Sequence, residues 1–197
     1  DLITDEIRRS LPELPAKKRE RFVADYGISE YDAQVLTSDK NLADYFDGAA
    51  SKSSNPKLAA NWIISEVLKE INSRGMAIKD CPVTEEHLVE LVDAVHSGSI
   101  TGNSGKEVLS EIFSSGKKPS EIIREKGLMQ ISNENEISPF VDEVIASFPS
   151  QAGEYKAGKA QALQFLIGQV MKKSKGRANP KIAAKLLAGK ITRADTV

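Results

Sequence analysis

Residues 158–180 read Gly-Lys-Ala-Gln-Ala-Leu-Gln-Phe-Leu-Ile-Gly-Gln-Val-Met-Lys-Lys-Ser-Lys-Gly-Arg-Ala-Asn-Pro. Ala160, Leu163, Ile167, Val170 and Met171 recur at three- and four-residue spacing, the period of a helix with one apolar face. The spacing predicts a helix over 150–173, with Lys172 and Lys173 in its last turn, where cations complement the negative end of the helix dipole. Ser174 to Ala178 predicts a tight connector. Asn179-Pro180 then supplies an N-cap followed by proline at the first helical position, the start of a helix over 180–188. Its Ile182, Ala183, Leu186 and Leu187 would face inward, while Lys181 and Lys185, four apart, share an outer face. Two helices and their turn thus bury apolar sides together and leave lysines outside.

Charge sharpens that reading. From Tyr155 to Ala194 there are ten basic residues and no Asp or Glu. The first 154 residues hold 17 basic and 27 acidic side chains, whereas the last 43 hold ten and one, although the net charge of the 197 residues is only −1. Like charges repel, and ordinary surfaces intersperse both signs. A nucleic-acid backbone is the partner such a tail fits, with Lys156, Lys159, Lys172, Lys173, Lys175, Arg177, Lys181 and Lys185 as the candidate phosphate contacts. Arg177 could fork onto a phosphate, and the lysines act as point charges. The sequence carries no aromatic RNP pattern, zinc finger or basic zipper, so recognition of backbone shape is expected rather than base reading.

Working back from the tail, Pro and Gly recur at intervals suited to helices, with no convincing period-2 alternation. Residues 1–15 predict an extended connector, because Pro12 and Pro15 each disfavour helix in the residue before them. Helices are expected from Ala16 to Tyr26, after the cap Ser29, and from Asp39 to just before Gly48. A long helix should start at Asn55-Pro56 and end at Gly75, and Thr84 should cap another. Shorter ones follow at 103–115, 119–126 and 138–147. The polar Ser132-Asn133-Glu134-Asn135 stretch predicts a domain boundary near 129, giving a helical domain over 16–128 and a basic tail domain over 129–197. The expected class is all-α, in two small domains. The charged opening at Asp1, without an initiator Met, reads as part of something longer.

No catalytic or metal site is expected. In Gly102-Asn103-Ser104-Gly105-Lys106 the glycine a P-loop needs is replaced by Ile100, and Glu107 follows the lysine where Ser or Thr is required. His87 and His96 are nine apart on one predicted helix and point to different faces, which suits capping or exposure better than metal binding. The single Cys81 has no evident base beside it, excludes a disulfide framework and fits a reducing cytoplasm. Trp62 reads as core. No signal peptide is expected, and the densest apolar stretch, Leu163 to Met171, is too short and too interrupted to span a membrane.

Residues 158–180 resemble the hallmark segment of the YqeY-type tail. Pro12-Glu13-Leu14-Pro15, Tyr26-Gly27, Leu36-Thr37, Tyr45-Phe46, the run Pro56-Lys57-Leu58-Ala59-Ala60-Asn61-Trp62, and Gly127-Leu128 are similar to the B subunit of the bacterial aspartyl/glutamyl-tRNA amidotransferases. Gly105 before Lys106 departs from that pattern, where Ala is expected. The resemblance implies a helical domain plus a YqeY-like tail that together hold tRNA, with 1–15 leading from a catalytic domain outside this chain. It implies partner subunits A and C, and a full-length protein acting in an ATP-dependent, glutamine-hydrolysing ligase that converts misacylated Glu-tRNA(Gln) or Asp-tRNA(Asn) to Gln-tRNA(Gln) or Asn-tRNA(Asn). ATP and magnesium would belong to the absent catalytic domain, so this chain itself is expected to need no cofactor and to be non-catalytic. The competing reading is a protein-interaction module whose acidic part docks a partner while the basic tail only solubilises.

Overall fold

A computed structural model describes residues 13–193, apart from the side chain of Arg193. Of the connector expected over 1–15, all but Glu13, Leu14 and Pro15 lies outside the described residues. The described residues are all-α, as expected, with one isolated parallel bridge between Ile131 and Ala178. They form two compact units: residues 13–96 with 109–120, and residues 97–108 with 121–193.

In the first unit, helix α1 (Pro15–Tyr26) ends at Gly27, whose φ of 63° is left-handed and free of strain in glycine. Helices α2 (Glu30–Leu36), α3 (Lys40–Ala50) and α4 (Pro56–Trp62) begin at side-chain caps, with Ser29, Asp39 and Asn55 accepting the amides of Asp32, Leu42 and Leu58. Gly48 lies inside α3, not beyond its end. A Cβ there would fall 2.2 Å from the Glu85 carboxyl group, so glycine makes room for that side chain. The helix expected up to Gly75 is interrupted by a π turn at Ile63–Val67 before α5 (Leu68–Arg74). Within it the Ser65 hydroxyl donates to the Asn61 carbonyl at 2.7 Å, competing with the regular ladder. Helix α6 (Glu85–His96) starts at Thr84, whose hydroxyl accepts the His87 amide. Phe22 and Phe46 stack edge to face at 4.8 Å in the core, which also buries Trp62.

Helices α7 (Gly102–Ser115) and α8 (Pro119–Lys126) each contribute residues to both units. In the second unit, α9 (Glu134–Ser147) begins four residues earlier than expected, because Asn133 caps it and Pro139 lies within it. Proline has no N–H for the Asn135 carbonyl, so that turn forgoes one ladder bond. The helix expected over 150–173 is two: α10 (Pro149–Lys156) and α11 (Ala160–Lys173). They part at Gly158, whose φ of 94° no right-handed helix accommodates. Helix α12 (Pro180–Arg193) runs five residues past its expected end.

Helix α9 packs on α11 and α12, and α10 on α11. Ile137, Val141, Val144, Leu166, Val170, Ala183 and Leu187 are fully buried among them. The buried face of α11 is centred on Ala162, Leu166 and Val170, with Leu163, Ile167 and Met171 at its margin. Ala160, expected inside, is exposed because it stands at the helix start, directly after the break.

Candidate nucleic-acid interface

The turn from α11 to α12 is held by backbone bonds on every side. The Ser174, Lys175 and Gly176 amides donate back to the carbonyls of Val170, Lys172 and Met171, closing the end of α11. Across the unit, the Ile131 amide donates to the Arg177 carbonyl at 2.8 Å, and the Asn179 amide donates to the Ile131 carbonyl at 2.9 Å. Ser174 is only 1% exposed. Its hydroxyl donates to the Met171 carbonyl at 3.1 Å and accepts the Ala178 amide at 3.2 Å. Asn179 caps α12 by accepting the Lys181 amide at 3.0 Å. The connector is therefore a fixed corner rather than a loose loop.

The eight candidate cations divide sharply. Lys156 is exposed on α10. Lys159 lies 3.5 Å from the Glu154 carboxylate. Lys173 pairs with Glu143 and Lys185 with Glu134, the latter at 2.8 Å. Arg177 points its guanidinium at protein carbonyls, those of Ser174 at 3.4 Å and Gly127 at 3.3 Å, so its fork is turned toward the fold. Lys172, Lys175 and Lys181 are exposed, and among the described residues their ammonium groups meet no acceptor. These three surround the corner: the last turn of α11, the turn itself and the first turn of α12.

Sequence reasoning missed the counter-charges. Beyond the eight, Lys190 pairs with Asp142 and donates to the Ser138 hydroxyl at 2.6 Å. Glu134, Ser138 and Asp142 follow one another at four-residue steps, a single polar stripe on α9 that meets Lys185 and Lys190 of α12. That spacing is visible in the sequence, but its facing α12 is not. The absence of acids from 155 to 194 is consequently a property of the chain and not of the surface, since α9 supplies carboxylates from outside that span.

In the first unit the polar side chains serve the fold. Arg21 donates to both Asp47 oxygens, at 2.9 and 2.7 Å, and to Glu13, and the Tyr26 hydroxyl donates to Asp47 at 2.6 Å. The Arg21 hydrogen bonds hold the Asp47 carboxyl below the usual carboxylate range, while burial, then Asp47, pushes the Tyr26 phenol up to about 12. Burial also raises the Cys81 thiol, which keeps it protonated. His96 Nδ1 lies 3.2 Å from the Asn55 amide nitrogen, and the buried His87 Nδ1 has no hydrogen-bond partner.

The fold and its cationic corner define an all-helical module with a fixed basic turn. A family profile described as GatB domain matches residues 44–191. Over 189 residues the chain is 46% identical to the B subunit of the aspartyl/glutamyl-tRNA(Asn/Gln) amidotransferase of Carboxydothermus hydrogenoformans, covering 96% of this chain and 39% of that protein. The same protein of Persephonella marina is 48% identical over 184 residues, 93% of this chain and 39% of the relative. That of Caldanaerobacter subterraneus is 44% identical over 189 residues. The chain belongs to the GatB-domain family. It spans about two fifths of the length of the curated relatives it matches.

Proposed function

We propose that this chain is the tRNA-holding part of the B subunit of an amidotransferase. In this reading it grips the RNA body while Glu-tRNA(Gln) or Asp-tRNA(Asn) is converted to its amide elsewhere in the assembly. The observation that carries the reading is the fixed corner between α11 and α12 with its three exposed, unpaired lysines. A lysine without a local counter-ion gains most from a phosphate, because binding releases condensed cations from the RNA without first breaking a protein ion pair. The relatives' name supplies the RNA class. Activation with ATP and magnesium, and docking to subunits A and C, would fall to the full-length protein in the cytoplasm. No helix among the described residues is long and apolar enough to cross a membrane.

The test is a titration of tRNA with the 197-residue chain across a salt series. Three to five phosphate contacts predict that log K falls against log salt with a slope of roughly −2 to −4.5. Binding that ignores salt would refute the phosphate grip. Unaltered function after charge reversal at Lys172, Lys175 and Lys181 would favour the protein-docking alternative.

A further inference from the structure

Two of the three corner lysines occupy positions that local energetics disfavour. Lys175 is the one non-glycine residue with positive φ among the described residues, at 53°. A side chain in that region meets its own carbonyl, and glycine or asparagine fits it without penalty. Lys181 stands in the first turn of α12, which contains no acid, so its charge opposes the positive end of the helix dipole. A bound anion reverses that sign, since the helix end and the lysine then attract it together. Where local rules are broken without a compensating contact in the fold, function is the usual compensation.

The flank of the unit has the opposite character. Lys173, Lys185 and Lys190 each meet a carboxylate of α9. A phosphate approaching any of them meets a carboxylate beside the ammonium group, which repels it and shares the ammonium's donors.

We propose that the RNA-binding surface of this unit is the α11–α12 corner, carried by Lys172, Lys175 and Lys181, and that Glu134, Asp142 and Glu143 set its edge. The three carboxylates occupy Lys185, Lys190 and Lys173 and compete there with the phosphodiester groups of a structured RNA. This rests on the tRNA-holding reading and divides its cations into a gripping set and a compensated set.

Three variants of the 197-residue chain test the division, each neutral rather than reversed in charge and, apart from the half-buried Lys190, each at exposed positions. Removing the corner as K172Q/K175Q/K181Q is expected to weaken tRNA binding roughly a hundredfold to five-hundredfold at about 0.1 M salt, at fivefold to eightfold per contact. Removing the same number of flank lysines as K173Q/K185Q/K190Q is expected to weaken it no more than about tenfold. Neutralising the carboxylates as E134Q/D142N/E143Q is expected to tighten binding roughly tenfold to a hundredfold and to steepen the salt slope. Equal losses from corner and flank, or unchanged or weaker binding by the carboxylate variant, would overturn the division while leaving tRNA holding intact. If neither the wild type nor the carboxylate variant binds tRNA, the tRNA-holding reading falls and the division with it. Helical circular dichroism and the urea midpoint, read on each variant, separate lost binding from lost folding.

Discussion

Replacing Lys175 with glycine should move stability and RNA affinity in opposite directions. The left-handed conformation at φ 53° costs a non-glycine residue about 1–2 kcal/mol, and glycine removes that cost. Against it, the freer unfolded chain of a glycine variant loses about 0.5–1 kcal/mol. No hydrogen bond or ion pair of the Lys175 side chain enters the balance, since its turn is closed by backbone bonds that glycine makes equally well. The net expectation is a stability between unchanged and about 1.5 kcal/mol higher, read as a urea midpoint at or above wild type with the same m-value. In tRNA titration the same variant should lose one phosphate contact. The salt slope should become shallower by about 0.7–0.9, and affinity at ~0.1 M salt should fall roughly fivefold to eightfold. A variant less stable by more than about 1 kcal/mol would mean that the lysine side chain supports the fold. An unchanged salt slope would mean that it touches no phosphate, and either result would refute the reasoning.

Ser174→Ala removes the hydroxyl that joins the Met171 carbonyl to the Ala178 amide in a buried turn, and should destabilise the chain by about 1–2 kcal/mol in urea unfolding. Asp47→Asn should cost about 1–2 kcal/mol at neutral pH, less than a buried pair would, because the partly exposed Arg21 keeps Glu13 as a partner. The Asp47 carboxyl is held below its unfolded value, so its contribution is complete above that value, near pH 4, and is lost as pH falls through the lower folded one. Urea unfolding of wild type and D47N should therefore differ at pH 7 and converge as the pH drops below about 4.

Most of the helix starts are legible in the sequence because their signals are local. Ser29, Asp39, Asn55 and Thr84 cap helices through bonds within three residues, and Gly27 and Gly75 end them with left-handed φ. What the sequence hides depends on distant neighbours. Gly48 follows a plausible helix end, yet the chain continues through it, and the carboxyl group of Glu85, 37 positions away, fills the space beside it. Gly158 and Gly168 look alike inside the same basic segment, yet only Gly158 takes a positive φ and breaks the helix. The apolar face of α11 lies one position from where periodicity puts it, since Leu166 and Leu163 both fit a helical stripe and only the packing of α9 and α12 selects Leu166 as its centre.

The candidate site shows the same limit at the level of charge. Summing residues along the chain identifies the right region, because ten cations without an acid between 155 and 194 is a strong departure from an ordinary surface. It cannot rank those cations, for ranking depends on what each ammonium group faces. Once α9 lies against α11 and α12, its carboxylates remove Lys173, Lys185 and Lys190 from the unpaired set, and two backbone carbonyls take Arg177. The arginine that in sequence looks best suited to fork a phosphate is thus a brace for the turn. The residues left over stand on a corner whose hydrogen bonds use their backbone groups but not their side chains. A side chain that the fold does not use, carried at a left-handed φ or at the positive end of a helix, is more informative about function than any total of charge.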